Sequence, residues 1–460
     1  ADVTDDGRYL ILHVWLGTDR RNRIYYVDLQ DPARPRFPGE VVRLLDAFDA
    51  AYDFVGNDGP VFYFLTDRDA PRKRIIAVDT RRPAPAQWRE VVPQTADVIQ
   101  TVQIVNGTLV VEYLRDAYSR LALFTKAGRG LGDIALPTLG SVTEVTGEER
   151  DTEMFYAFTS FLYPTTIFRF DFAGRSSEVF KAPQLPEFDA GRYETRQVFY
   201  TTKDGTRVPM FITHRKGLVR DGLNPTYLYG YGGFNISLTP GFSVAVTVWL
   251  EMGGVYAVPT LRGGGEYGEE WHQAGMLERK QNVFDDFIAA AEYLIRERYT
   301  SPRKLAIGGG SNGGLLVGAA MTQRPELFGA ALPAVGVMDM LRFHKFTIGW
   351  AWVTEYGSAD SAQHFPFLYR YSPYHNLRPG TAYPATLVTT ADHDDRVVPG
   401  HSFKFAAALQ AAQAGPAPVL IRIETKAGHG AGKPTAKIIE EQADRWAFLV
   451  KVLDMRPQIP

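Results

Sequence analysis

Leu305-Ala306-Ile307-Gly308-Gly309-Gly310-Ser311-Asn312-Gly313-Gly314-Leu315 is the stretch on which the reading of this chain turns. A short apolar run, the signature of a buried strand, meets a cluster of glycines and then an apolar helical stretch from Leu315 to Met321. Gly309-Gly310-Ser311-Asn312-Gly313 has the form G-x-S-x-G between strand and helix. A turn this sharp needs small neighbours so that the crossing backbones can pass, and it lifts the serine hydroxyl above the strand ends. The helix that follows adds the positive end of its dipole, and the N–H of Asn312 is free to face an oxyanion. The same residues also satisfy G-x-G-x-x-G, as do Gly263 to Gly268, so dinucleotide binding has to be weighed. That motif belongs after the first strand of its unit, with an acid closing the second. Here several strands come first, and Ala330 to Val337 offers no acid.

Outward from Ser311 the pattern is strand, helix, strand. Thr226–Tyr229 and Gly254–Val258 read as buried strands, and Leu305–Ile307, Pro384–Thr389 and Pro418–Ile423 as further strands. Helices are expected over Asn282–Arg298 and Phe403–Gln410, and Lys203-Asp204-Gly205 marks a hairpin between Gln197–Tyr200 and Arg207–Ile212. Alternation of this kind implies a mainly parallel sheet with helices on both faces. Past two of its strand ends stand Asp394 and His429. Ser, then Asp, then His is the chain order of an α/β-hydrolase nucleophile, orienting acid and base. Spacing alone does not choose among Asp392, Asp394 and Asp395. A metal site at Asp392-His393-Asp394-Asp395 is disfavoured, because adjacent residues do not readily converge on one ion. His344, His364, His375 and His401 read as cap or loop residues.

Before about residue 187 the grammar differs. β-type runs recur in pairs: Asp6–Leu12 with Arg23–Asp28, Val61–Leu65 with Arg74–Asp79, Thr108–Tyr113 with Arg120–Phe124, Met154–Phe158 with Thr166–Asp171. The period of roughly 45–50 residues is that of β-propeller blades, with an irregular β-sandwich as the alternative. The expected division is therefore 1–186, the incomplete C-terminal blades of a propeller, and 187–460, an α/β-hydrolase domain.

The 460 residues, 45% hydrophobic and 22% charged with a formal net charge of -2, suit a globular chain of two or three domains. Nothing in the charge balance points to nucleic acid or a membrane surface. The absence of cysteine excludes disulfides, thiolate metal sites and cysteine nucleophiles, and it fits a reducing, cytoplasmic setting. The chain opens on Ala1 with no initiator Met, so an incomplete N-terminus is expected; a signal peptide upstream would make the protein periplasmic or secreted.

With these residues placed, Tyr229-Gly230-Tyr231-Gly232-Gly233-Phe234-Asn235, Arg262–Gly268, Gly309–Gly314, Asp392–Pro399 and Lys426–Gly430 resemble the prolyl oligopeptidase family of serine peptidases across nearly all of 190–460. Residues 1–185 resemble the later blades of that family's seven-bladed propeller more weakly. The resemblance implies an endopeptidase that cleaves short peptides on the carboxyl side of proline, working as a monomer without metal or organic cofactor, its propeller gating access. It makes Ser311, Asp394 and His429 the triad, and Tyr231 a partner of the Asn312 N–H in the oxyanion hole. The residues Phe234, Val337, Trp352, Tyr356 and Val397 become an apolar slot for the proline ring, which lacks an N–H. Arg396 becomes the grip on the preceding peptide carbonyl; otherwise it would pair with Asp394 or Asp395 at the surface. Tyr231, without the resemblance, reads as a buried aromatic in a Gly-rich loop. One departure stands out: Val14-Trp15-Leu16-Gly17-Thr18 lacks the arginine that some members place in a propeller loop. An acyl-peptide hydrolase or dipeptidyl peptidase is the enzyme alternative, and a propeller binding protein with a dead hydrolase domain the other.

Overall fold

The computed structural model describes residues 1–36, 39–430 and 432–457. They divide into two compact units, the first comprising Ala1–Leu185 together with Thr239–Phe242 and Glu266–Glu270.

The first unit holds four sheets of four strands each, and every sheet is an antiparallel meander. Its paired runs are the second and third strands of each sheet: Tyr9–Trp15 with Asn22–Asp28, Val61–Thr66 with Arg74–Asp79, Thr108–Arg115 with Tyr118–Thr125, and Glu153–Ser160 with Tyr163–Asp171. The hairpin between Arg115 and Tyr118 turns on Asp116 and Ala117, both at positive φ (47° and 69°), the twist a two-residue connection requires. Apolar residues of neighbouring sheets interleave. Tyr9, Ile11 and Ile24 of the first sheet share one core with Phe62, Phe64, Ile76 and Val78 of the second. Tyr63, Leu65 and Ile75 from the other face of the second sheet share the next core with Leu109, Val111 and Tyr113 of the third. Blades of a propeller are stacked in this way, face on face.

A carboxyl group is caught inside. Glu112, on the strand Thr108–Arg115 and 5% exposed, accepts hydrogen bonds from Ser119 Oγ at 2.6 Å and Thr101 Oγ1 at 3.0 Å. Burial pushes its carboxyl up to about 7, against the pull of those two hydroxyls.

The second unit is built on one eight-stranded sheet. Its strands are β1 (Tyr193–Thr201), β2 (Arg207–Arg215), β3 (Thr226–Tyr229), β4 (Val255–Pro259), β5 (Leu305–Gly310), β6 (Ala330–Ala334), β7 (Ala385–Ala391) and β8 (Val419–Glu424). They lie in the order β1-β2-β4-β3-β5-β6-β7-β8, parallel from β4 onward. Alternate residues serve opposite faces. Leu228, Ile307 and Val255 join a core with Phe284, Phe287 and Leu294 of the helix Gln281–Arg296 and Leu315 of the helix Asn312–Gln323. Tyr227, Ala306 and Leu332 point the other way, against Trp249, Trp446 and Leu449. Covered on both faces, the sheet leaves only the loops at its strand ends free for chemistry. No helix among the described residues is long and apolar enough to cross a membrane.

Candidate active site

Ser311 stands between β5 and the helix Asn312–Gln323 at φ 58°, ψ −116°, a conformation that side chains rarely adopt. Backbone hydrogen bonds hold it there: its N–H donates to Ala334 O on β6 at 2.9 Å, and its own carbonyl accepts from Gly314 N at 2.9 Å and Leu315 N at 3.1 Å. The neighbouring glycines are required by contact. A Cβ on Gly309 would lie 2.4 Å from Gly313 O, and one on Gly313 would lie 2.6 Å from Gly230 O.

Asp394 follows β7 and is 2% exposed. Its Oδ1 accepts from the backbone N–H of Arg396 (3.0 Å) and Val397 (2.9 Å), while Oδ2 meets His429 Nδ1 at 2.7 Å. Of the three acids between which spacing could not choose, Asp394 alone reaches His429. Asp392 is engaged by His393 Nδ1 at 2.6 Å and Ala427 N at 3.4 Å, and Asp395 is exposed. His429 comes from the loop after β8, whose backbone turns through positive φ at Lys426, Gly430 and Gly432. The imidazole borders a cavity of about 280 Å³ that Ala334 and Val335 also line.

Asp394 and His429 are thus joined, whereas no hydrogen bond among the described residues links Ser311 to His429. Ser311 is anchored to the sheet and His429 rides on a loop. Such contacts are commonly loose until substrate tightens them.

The loop after β3 brings Tyr231 to the same end of the sheet. Asn312 ties it in place: Asn312 Nδ2 donates to Tyr231 O at 2.6 Å and Asn312 Oδ1 accepts from Tyr356 Oη at 2.9 Å. Burial raises the Tyr231 phenol to about 12, with Tyr229 and Glu355 adding to it and Arg396 opposing, so at neutral pH the hydroxyl keeps its proton and can donate. Arg396 itself is exposed and forms no ion pair among the described residues; the surface pairing with Asp394 or Asp395 is not made, and only its backbone touches Asp394.

The apolar residues form one connected group. Phe234 meets Tyr356 edge-on at 5.3 Å, Tyr356 meets Phe343 at 5.3 Å, and Phe343 stacks on Trp352 at 6.3 Å. Val337 and Val397 belong to the core around them. Phe234 is partly exposed and Trp352 is 9% exposed, while Tyr356 has no exposed surface and its hydroxyl is committed to Asn312.

Three buried residues here escape a sequence reading: His272, Lys280 and Glu355. Glu355 Oε1 accepts from Phe234 N at 2.9 Å, and its Oε2 meets His272 Nε2 at 2.8 Å. Lys280 Nζ donates to Gly232 O at 2.8 Å and lies 3.6 Å from Glu355 Oε1. Only Glu355 carried a signal, as an acid set in the otherwise uncharged run from Gly349 to Tyr356. His401 is a correction of another kind. It lies inside the helix Gly400–Ala412, 1% exposed, with Nδ1 accepting from Asp339 N at 3.1 Å, and so neither caps a helix nor sits in a loop.

Two family models match the chain, the prolyl oligopeptidase family over residues 240–456 and its N-terminal β-propeller domain over 1–183. The chain belongs to the prolyl oligopeptidase family. Among curated members of that family it is 46% identical to a prolyl endopeptidase of Elizabethkingia meningoseptica over 97% of this chain and 62% of the relative. It is 39% identical to the dual function macrocyclase-peptidase POPB of Galerina marginata over 99% of this chain and 63% of that one. Among solved structures, a prolyl endopeptidase superposes with a TM-score of 0.94 at 46% identity, covering 99% of this chain and 66% of the other. Prolyl oligopeptidase B from Galerina marginata, bound to a 35mer hydrolysis and macrocyclization substrate, superposes with a TM-score of 0.95 at 38% identity, covering 100% and 65%. The chain therefore spans about three fifths of the length of the curated relatives it matches.

Proposed function

We propose that this chain carries the apparatus of a serine endopeptidase that hydrolyses short peptides on the carboxyl side of proline, through an acyl-enzyme on Ser311. The observation that carries the reading is the pairing of His429 Nδ1 with the buried Asp394 at 2.7 Å, downstream of a serine held at φ 58°.

Asp394 accepts the Nδ1 proton of His429, which leaves Nε2 of the neutral ring unprotonated and able to take the Ser311 proton. Ser311 Oγ then bonds to the carbonyl carbon of the proline residue, and the carbonyl π pair moves onto oxygen. Tyr231 Oη–H and Asn312 N–H are the two donors for that oxyanion. The C–N bond breaks, the amine leaves with the proton from His429, and water, deprotonated by the same imidazole, releases the acid and restores Ser311. Phe234, Val337, Trp352, Tyr356 and Val397 would enclose the proline ring, and Arg396, without an ion pair among the described residues, would donate to the carbonyl before it. The likeness to relatives supports these roles. Prolyl oligopeptidase B was solved with bound substrate in three variants, each with a serine, an aspartate or a histidine changed to alanine.

A fluorophosphonate probe should label Ser311 alone, and Ser311→Ala should lose both labelling and cleavage of an N-blocked Gly-Pro chromogenic amide. The reading fails if the labelled protein prefers Gly-Ala to Gly-Pro amides, or if it requires a free N-terminus, which would indicate a dipeptidyl peptidase.

A further inference from the structure

The loop that carries Tyr231 holds an unusual backbone. Gly232, Phe234 and Asn235 all have positive φ (65°, 58° and 58°), two of them with side chains. Conformations of this kind persist only where the surroundings over-determine them. Asn235 N donates to Gly263 O at 3.0 Å, and two further contacts come from one buried ion pair. Lys280 is 1% exposed and Glu355 is 3% exposed. The ammonium holds the carbonyl of Gly232 at 2.8 Å, and the carboxylate holds the N–H of Phe234 at 2.9 Å. Opposite charges, 3.6 Å apart, thus grip the loop by one acceptor and one donor just past Tyr231.

We propose that Lys280 and Glu355 are positioning residues for the oxyanion side of the site, setting the Tyr231 hydroxyl against the Asn312 N–H. The inference rests on the serine-peptidase reading above. The residue after Glu355 completes the device. Tyr356 Oη donates to Asn312 Oδ1 at 2.9 Å, and Asn312 Nδ2 donates to Tyr231 O at 2.6 Å. One dipeptide, Glu355-Tyr356, therefore fixes both oxyanion donors: the first residue through the loop backbone, the second through the Asn312 side chain. His272 Nε2, at 2.8 Å from Glu355 Oε2, stops the carboxylate from swinging away. Charge suits the task because hydrogen bonds to ionised groups are about twice as strong as neutral ones. Burial depresses the Lys280 ammonium and is opposed by Glu355. Burial would also raise Glu355, but His272, Lys280 and the Phe234 N–H pull it below its ordinary value, so the carboxyl is ionised at neutral pH.

Removing one charge would strand the other, so the test neutralises both. The full chain is compared with Lys280→Met/Glu355→Gln, each also in a Tyr231→Phe background. Neutralisation should lower kcat/KM for the N-blocked Gly-Pro amide about 10–100-fold, approaching the loss of one oxyanion donor. Binding of the N-blocked prolinol, which forms no tetrahedral adduct, should change less than twofold, while binding of the prolinal, which does, should fall in step with kcat/KM. In the Tyr231→Phe background the same change should cost no more than twofold, since residues acting through one another are non-additive. Losses that multiply across the two backgrounds would overturn the proposal, as would equal losses of prolinol and prolinal binding. If the double variant does not fold, Glu355→Asp, which keeps the charge but shortens its reach, replaces it in the same cycle under the same criteria. Wild-type labelling by the fluorophosphonate separates the two levels: an unlabelled wild type refutes the serine-peptidase reading, whereas a labelled wild type with multiplicative losses refutes only the positioning.

Discussion

Glu112→Gln should make the first unit more stable at alkaline pH than the unaltered protein. In the folded chain burial moves the carboxyl from 4.5 up to about 7. Below pH 4.5 it is protonated in both folded and unfolded states, and ionisation costs nothing. Between 4.5 and 7 the unfolded chain releases its proton while the folded chain keeps it, so stability falls as pH rises; above 7 the full penalty is present. The displacement corresponds to about 3 kcal/mol, of which about 2.5 kcal/mol falls between pH 5 and pH 8. The amide of glutamine does not titrate, and its oxygen and NH₂ still match Ser119 and Thr101, whose hydroxyls rotate to suit. Urea titrations at pH 5 and pH 8, read by hydrogen exchange in Val98–Val105 and Thr108–Arg115, isolate this sheet from the second unit. The wild type should lose stability across that range and the variant should not, the two converging near pH 5. Equal pH dependence in both proteins would refute the reasoning.

Other substitutions reach the site and the second unit. Asp394→Asn should cost about 10³–10⁴ in kcat by leaving His429 in the wrong tautomer, yet shift the melting temperature little, as calorimetry beside kinetics would show. Gly313→Ala puts a Cβ 2.6 Å from Gly230 O and should destabilise the second unit by about 1–3 kcal/mol, measured by urea unfolding. His401, lowered by burial to about 4, should give the helix Gly400–Ala412 the opposite pH slope to Glu112. Folded His401 binds fewer protons than the unfolded chain between pH 4 and 6.5, so its contribution is complete above 6.5 and is lost as pH falls towards 4. His401→Gln should flatten exchange in that helix over the window.

Periodicity made the second unit legible. Each expected strand and helix there recurs within a few residues, because buried parallel strands are short apolar runs and helices such as Gln281–Arg296 keep one continuous apolar stripe. In the first unit only the middle strands of each sheet announce themselves. Fourth strands such as Ser176–Lys181, exposed throughout, carry no alternation to read. Chain order brought out Ser311, Asp394 and His429, and the geometry added which acid His429 meets. Lys280, His272 and Glu355 were hidden because their significance lies in partners as far as 121 residues away, as Glu355 is from Phe234. No local pattern distinguishes a buried lysine from a solvated one.

The backbone at Ser311 also limits which nucleophiles this scaffold could ever carry. With φ 58° and ψ −116°, the position admits a side chain only where surrounding hydrogen bonds hold it. Cysteine has serine's single γ atom and would bear the same strain. Threonine adds a branch at Cβ, for which positive φ is a genuine outlier. A shift from oxygen to sulfur chemistry is therefore one substitution away, whereas an alcohol bearing one extra methyl adds strain of the kind this chain accepts only at Val335 (φ 42°) and Thr347 (φ 34°) among its described β-branched residues.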